Sequence, residues 1–189
     1  MKKGKIIILS GPSGSGKTTL YKELLADRNL KKKLVKTVSV TTRTKRPGEK
    51  HGRDYFFVSQ KMFRYKKRRG HFLETEKVFD NYYGTPKKNV REALKTGKSV
   101  LLCIDIKGAR TIRRRFPKAA TVFVKTSSLK VLAVRLKGRG SEQKNIMRIR
   151  LQVAKEELKE AKKYQHVIIN DNFRTAYSRL AGIIQAELT

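Results

Sequence analysis

Eight residues near the start of the chain constrain it most. Gly11-Pro12-Ser13-Gly14-Ser15-Gly16-Lys17-Thr18 matches G-x-x-x-x-G-K-[ST] at every fixed position. The context matches too: the apolar run Lys5 to Leu9 reads as a buried strand before it, and Thr18 to Ala26 reads as a helix after it. Glycines at these positions let successive backbone N–H groups turn toward one point, and the helix that follows adds its N-terminal partial positive charge there. Such a loop cradles the phosphates of a nucleoside triphosphate. Lys17 reaches the β- and γ-phosphates, Thr18 can ligand Mg²⁺, and Thr19 sits beside it in the first helical turn.

A strand–loop–helix start demands more of the same architecture, and the rest of the chain supplies it. Val100 to Ile104 is a continuous apolar run, expected as a central strand ending at Asp105, and Thr121 to Val124 and Val167 to Ile169 are further strands. Helices are expected over Ala109 to Arg115, Leu129 to Leu136, about Gln143 to Lys163, and Ala176 to Leu188. Strands alternating with helices imply a parallel sheet covered on both faces, a three-layer α/β fold. The stretch from Lys36 to about Thr85 breaks the rhythm. It reads as strands at Lys36 to Val40 and Tyr55 to Val58, a helix at Gln60 to Arg69 and extended chain at Phe72 to Phe79, with a polar loop from Thr41 to Asp54. The expected organisation is one domain over 1–189. Its core takes about 1–35, 91–137 and 164–189, an inserted mixed-β lobe takes about 36–90, and a helical lid takes about 138–163.

Charge is the unusual feature. Lys and Arg number 47 against 15 Asp and Glu, a formal net charge of +32. The cations are scattered over every segment, which favours a solvated basic surface over a dedicated nucleic-acid face. Nucleic-acid binding as the main function would concentrate them. The acids are few enough that those inside motifs, Glu49, Asp54, Glu74, Asp105 and Asp171, invite a functional account. The single cysteine, Cys103, excludes an intrachain disulfide and a cysteine metal cluster, and a reducing cytoplasm is the natural setting. The apolar run at Ile6 to Leu9 is too short for a signal peptide, and no run approaches the length of a membrane helix.

The inserted stretch contains Ser39-Val40-Thr41-Thr42-Arg43, Arg46-Pro47-Gly48-Glu49, Gly52, Asp54-Tyr55 and Phe57-Val58, followed by Phe72-Leu73-Glu74 and Asn81-Tyr82-Tyr83-Gly84-Thr85-Pro86. Here the chain resembles the guanylate kinase family. Further matches occur at Ile104 to Ala109, Arg135 to Gly140, Arg150-Leu151 and Val167 to Asp171, so the likeness runs from about Lys5 to Leu180. The resemblance implies phosphoryl transfer from Mg²⁺-ATP to GMP, and to dGMP. Arg43, Arg46, Tyr55 and Tyr83 would clamp the GMP phosphate, and Glu74 would accept from guanine N1–H and the N2 amine. Ser39 and Thr85 would meet the O6 edge. Asp105 would stand between the substrates near the metal. Arg135, Arg139 and Arg150 would close onto the transferring group, and Asn170 would lie near the adenine. Nucleic acid would be at most a non-specific partner, and no membrane is involved.

Departures from the family pattern are Cys103 in place of an acid, Lys107 in place of Gln, Thr75-Glu76 in place of Trp-Ala, and an acid-poor lid at 141–145. Three other readings compete: a phosphopeptide-binding scaffold using the arginine and tyrosine pocket, a kinase for another nucleoside monophosphate, and a nucleic-acid binder. An intact Lys17 and three lid arginines argue against the scaffold. Glu74 argues against adenine, whose N1 is an acceptor.

Overall fold

A computed structural model describes residues 4–137 and 144–189. Five strands form one parallel sheet: β1 (Ile6–Ser10), β2 (Leu34–Lys36), β7 (Ser99–Cys103), β8 (Ala120–Lys125) and β9 (His166–Ile169), in the order β2-β7-β1-β8-β9. Successive side chains of a strand point to opposite faces, and β1 is apolar on both. Ile7 and Leu9 pack with Leu20, Tyr21 and Leu24 of α1 (Lys17–Ala26) and with Leu180 and Ile184 of α8 (Phe173–Leu188). Ile6 and Ile8 pack on the other side with Val90 of α4 (Lys87–Lys95) and Ala109 and Ile112 of α5 (Ile106–Arg115). The three-layer α/β expectation holds.

A second, four-stranded sheet has the order β4-β3-β6-β5. Here β3 (Val40–Thr41) pairs parallel with β4 (Phe56–Phe57) and antiparallel with β6 (Asn81–Pro86), which pairs antiparallel with β5 (Phe72–Val78). Phe63 of α3 (Gln60–Arg68) stacks on Phe72 at 4.9 Å between ring centres, and with Val40 gives this sheet its own small core. In the last third, α6 (Leu129–Lys137) packs on α7 (Lys144–Lys159) through Leu132, Leu136 and Ala154, and a 3₁₀ turn, Glu160–Lys163, follows.

Several boundaries differ from the sequence reading. The expected strand Lys36 to Val40 is two strands in two sheets. Thr37 N still donates to Leu101 O at the edge of the parallel sheet, and the chain then crosses to pair Val40 with Phe56 and Gly84. A β-branched run specifies extended backbone and leaves the partner open. The short helix α2 (Leu30–Lys33) was not expected, because three consecutive lysines carry no apolar period. The strand β6 was read only as a motif; its Gly84 and Pro86 argue against a strand, yet Gly84 is needed where Phe72 lies within 3.0 Å of the space a Cβ would take. The long polar helix turns 3₁₀ after Lys159.

Candidate active site

The phosphate loop leaves the carboxyl end of β1 and enters α1. Gly11, Gly14 and Gly16 have φ of 143°, 86° and 90°, a region closed to most L side chains. Space is as restrictive as torsion. A Cβ on Gly11 would lie 2.0 Å from Val124 O, and one on Gly16 would lie 2.2 Å from Asn170 Nδ2. Lys17 folds back over the loop, and its Nζ donates to Gly11 O at 2.6 Å and Pro12 O at 2.8 Å. Pro12 and Ser15 are buried, while Ser13, Thr18 and Thr19 face solvent.

Asn170 lies immediately after β9. Its Nδ2 donates to Ser15 O at 2.8 Å from a buried position, so this side chain braces the loop from beneath. Arg135 on α6 donates through Nη2 to Asp171 O at 3.3 Å, and its Nη1 comes within 3.8 Å of the Cβ position of Gly16. Arg135 therefore borders the phosphate loop in this structure.

Because β7 pairs with β1 in register Leu9 to Cys103, the end of β7 delivers Asp105 beside the loop. Asp105 caps α5: its Oδ1 accepts from Gly108 N at 2.9 Å. Glu74, on β5, faces the same helix start. A Cβ on Gly108 would meet Glu74 Oε2 at 2.9 Å and Asp105 Oδ1 at 3.7 Å, so the missing side chain at 108 lets two carboxylates approach one helix turn. Arg115 Nη1, at the far end of α5, donates to Leu73 O and ties the strand carrying Glu74 to the core. Glu74 is buried. Burial pushes its pKa up to about 7, the hydrogen bond from Thr85 pulls the other way, and the nearby Asp105 charge adds to the rise. Thr85 Oγ1 donates to Glu74 Oε1 at 2.5 Å. The Thr85 hydroxyl thus holds the Glu74 carboxylate.

Across the lobe, Arg43 and Glu49 form a two-pronged pair, with Nη2 at 2.7 Å from Oε1 and 3.0 Å from Oε2. Arg46 N also donates to Glu49 Oε2, at 2.9 Å, while the Arg46 side chain is exposed. The Arg43 guanidinium lies 5.5 Å from the Tyr55 ring centre, and the Tyr55 and Tyr83 rings meet edge-on at 6.0 Å. Of the four residues assigned to a phosphate clamp, Arg43 (just after β3), Tyr55 (just before β4) and Tyr83 (on β6) are brought together, while Arg46 joins them through its backbone bond to Glu49. Ser39 sits just before β3, its carbonyl accepting from Phe56 N at 2.9 Å.

Arg150, on α7, places its guanidinium 5.2 Å from the ring of Phe79, at the tip of the β5–β6 hairpin. Arg139 lies outside the described residues.

Three further groups border the site, of which Lys36 and Glu157 carry no signal in the motif spacing and Cys103 is marked only as a departure from it. Lys36, at the end of β2, donates to Tyr21 OH and to Asp54 O, each at 3.2 Å, with its ammonium 4.5 Å above the Tyr21 ring. Burial lowers its pKa. Glu157 on α7 is raised to about 7 by burial, with Lys17 opposing and Asp105 reinforcing, which marks its carboxylate as a neighbour of the site. The Cys103 thiol is pushed up by burial and opposed by Lys17 and Lys36. The acids singled out by scarcity are mostly braces. Besides Glu49, Asp54 accepts from Lys50 N and Arg53, and Asp171 Oδ1 accepts from Ser127 N. Among the described residues no group of three or more His, Cys, Asp or Glu side chains gathers as a metal site, and no helix is long and apolar enough to cross a membrane.

Comparison with known proteins fits this geometry. A sequence model of the guanylate kinase family matches residues 3–187. The chain is 41% identical over 187 residues to the guanylate kinase of Carboxydothermus hydrogenoformans, covering 99% of this chain and 90% of that protein. Identity, length and coverage are the same for the guanylate kinase of Clostridioides difficile. The crystal structure of guanylate kinase from Anaplasma phagocytophilum superposes with a TM-score of 0.82 at 32% identity, over 100% of this chain and 88% of that one. With a glycine-shaped phosphate loop facing a lobe that pairs an arginine–tyrosine clamp with a buried glutamate, the chain belongs to the guanylate kinase family.

Proposed function

We infer that this protein transfers the γ-phosphoryl group of ATP to GMP, giving ADP and GDP, and accepts dGMP in the same way. The observation that carries the reading is the buried Glu74, held by Thr85 on the lobe that faces the phosphate loop. Guanine presents two adjacent donors, N1–H and N2–H, and one carboxylate can accept both. The Ser39 hydroxyl supports the O6 edge. Arg43 and Arg46 supply forked donors for the GMP phosphate, and the Tyr55 and Tyr83 hydroxyls complete that cradle.

The acceptor is already an anionic oxygen, so the chemistry needs alignment and positive charge more than a general base. Gly11 to Thr19 hold the triphosphate with Lys17 at the transferring group, and Asn170 keeps the loop in shape beside the adenine. Arg135, Arg139 and Arg150 add cations on closure, and Asp105 stands between the substrates. Mg²⁺ fits the donor set: a hard cation that keeps most of its water needs little from the chain beyond the exposed Thr18 hydroxyl, the remaining ligands coming from phosphate. The chemistry a bound Mg²⁺ would supply there is neutralisation of phosphate charge, with Thr18 as the residue that would hold it. Closing the second sheet and the α6–α7 pair over the loop excludes water that would otherwise hydrolyse ATP. The reading divides the chain into a core of about 1–35, 91–137 and 164–189, a GMP lobe of about 36–90 and a lid of about 138–163. It places the reaction in the cytoplasm, with nucleic acid contacting the basic surface non-specifically.

Release of ADP measured with GMP, dGMP, AMP, CMP and UMP in turn tests it. Turnover with GMP and near silence with AMP is the expected result. Equal turnover with AMP, or ATP hydrolysis independent of any monophosphate, would overturn it.

A further inference from the structure

The sheet has a second functional-looking end. Beyond the amino end of β8, away from the end of β1 that carries the phosphate loop, a cavity of about 450 Å³ opens between α5, the start of β8 and the turn Glu160–Lys163. Its volume lies within the range of small-molecule sites. Arg110, Arg113, Arg114 and Lys163 line it, and Glu160 is the one carboxylate among its lining residues. Cations at the last turn of α5 have an ordinary explanation in the helix dipole. That explanation does not cover their convergence with Lys163, which comes from a segment some fifty residues later and closes the other wall.

The internal pairing is unequal. Glu160 serves two cations, accepting from Lys163 Nζ at 2.7 Å and lying 3.4 Å from Arg110 Nη2, and these contacts hold its pKa down. Among the described residues, Arg113 and Arg114 form no ion pair with a carboxylate. Arg113 is nonetheless fixed in place, its guanidinium 5.3 Å from the Tyr164 ring centre. A guanidinium held on an aromatic face keeps its N–H edge for an acceptor. Gln165 Oε1 accepts from Thr121 N at 2.8 Å, which turns the amide so that its N–H₂ end remains as a further donor at the same cavity. The site is concave, rich in forked donors and short of acceptors, the chemistry that suits phosphate oxygens.

We propose that this cavity binds a small oligophosphate, a ligand with two or more linked phosphate groups such as the tail of a nucleoside di- or triphosphate, separately from the substrate sites. Concavity favours a compact ligand over an extended nucleic-acid backbone, which tracks a groove. Glu160 acts as the resident counter-ion that an incoming phosphate competes with for Arg110 and Lys163.

Calorimetric titration of the full chain with inorganic tripolyphosphate tests this, with the substrate sites first filled by saturating ADP and GMP and salt near physiological strength. One saturable site per chain is expected. Arg113→Ala with Arg114→Ala should weaken it at least about tenfold, the loss of charge-assisted bonds. Glu160→Gln should tighten it severalfold by removing the competitor. Lys66→Gln with Arg68→Gln on α3 removes comparable charge elsewhere and should leave affinity within about twofold. Far-ultraviolet circular dichroism checks that each variant is folded. No saturable binding overturns the proposal. So does equal weakening by the α3 pair, which would reduce the effect to total charge, or unchanged affinity in Glu160→Gln. A short single-stranded RNA that binds through Arg113 and Arg114 and is not displaced by tripolyphosphate would overturn it in favour of a nucleic-acid contact.

Discussion

The phosphate loop and the lobe opposite it, proposed here to meet the same chemical group, are built by different means. The loop is built from contiguous residues, and its donors are backbone N–H groups aimed by glycine torsions that no other residue adopts cheaply. The lobe collects side chains from residues 39 to 85, brought together by a small sheet with its own core. In the loop, Lys17 donates to two of the loop's own carbonyls. The lobe keeps Arg43 paired with Glu49, and its Glu74, proposed here to read the base, is a carboxylate that burial disfavours. On the proposed reading, phosphate would be recognised in the first place by shape, and in the second by charge that must be rearranged when the ligand arrives.

The largest test falls on the loop. Lys17→Met should lower kcat by roughly 10²–10³ while the chain stays folded, as when one preorganised donor to a transition state is lost. Near-normal turnover would show that the backbone suffices without the ammonium. In the lobe, Glu74→Gln should lower kcat/KM for GMP by roughly 10², because an amide meets one guanine donor with an N–H of its own. The ratio of GMP to AMP turnover should fall with it, from a starting discrimination of roughly 10⁴. If that ratio stays constant, the base is read elsewhere.

Smaller effects sharpen the contrast. Arg150→Ala should lower kcat by about tenfold or more with little change in KM for GMP, the mark of a contact completed on closure. A change confined to KM would make Arg150 a binding residue. Glu49→Gln should raise KM for GMP by about tenfold at nearly constant kcat, since Arg43 loses its two-pronged guide. An unchanged KM would show that Arg43 is aimed by its aromatic neighbours alone.

The smallest effect is a pH dependence. Glu74 sits at about 7 in the folded chain against an ordinary 4.5, so the folded state holds its proton more tightly. Stability linked to this group is fully present below about 4.5 and is lost as pH rises through about 7. Guanine needs the ionised form, so GMP kcat/KM should rise a few-fold from about pH 6.5 to 7.5, and that rise should flatten in Glu74→Gln. An identical profile in the variant would assign the titration to another group, Glu157 first.

What could be read in the chain follows the same division. The loop was legible to the residue because its function is written in contiguous spacing and in glycines that backbone geometry demands. The parallel sheet was legible because both-face burial leaves runs such as Val100 to Ile104 fully apolar. The lobe was legible in its residues and less so in its strands: Lys36 to Val40 gave no sign that it changes sheets, and Gly84 and Pro86 disguised β6. Asn170 and Thr85 were expected near the adenine and the O6 edge, and the structure adds the protein contacts that hold their side chains, to Ser15 O and to Glu74. Lys36 and Glu157 had no signature, since they approach the site through packing of β2 and α7 and belong to no spacing. In a chain with 47 cations, one more lysine carries no information until its neighbours are known.

The bond from Asn170 to Ser15 spans 155 positions of sequence. A ribosome releases the glycine loop 155 residues before the residue that braces it. Over that interval the chain carries a nucleotide motif that lacks this brace, and β9 must dock at the edge of the sheet before the brace exists. Competence to hold nucleotide thus arrives late, with the closing of the whole fold. A nascent chain stalled before residue 170 would expose the loop's sequence without its brace, and cellular nucleotide would have little with which to trap such an incomplete molecule in a compact state.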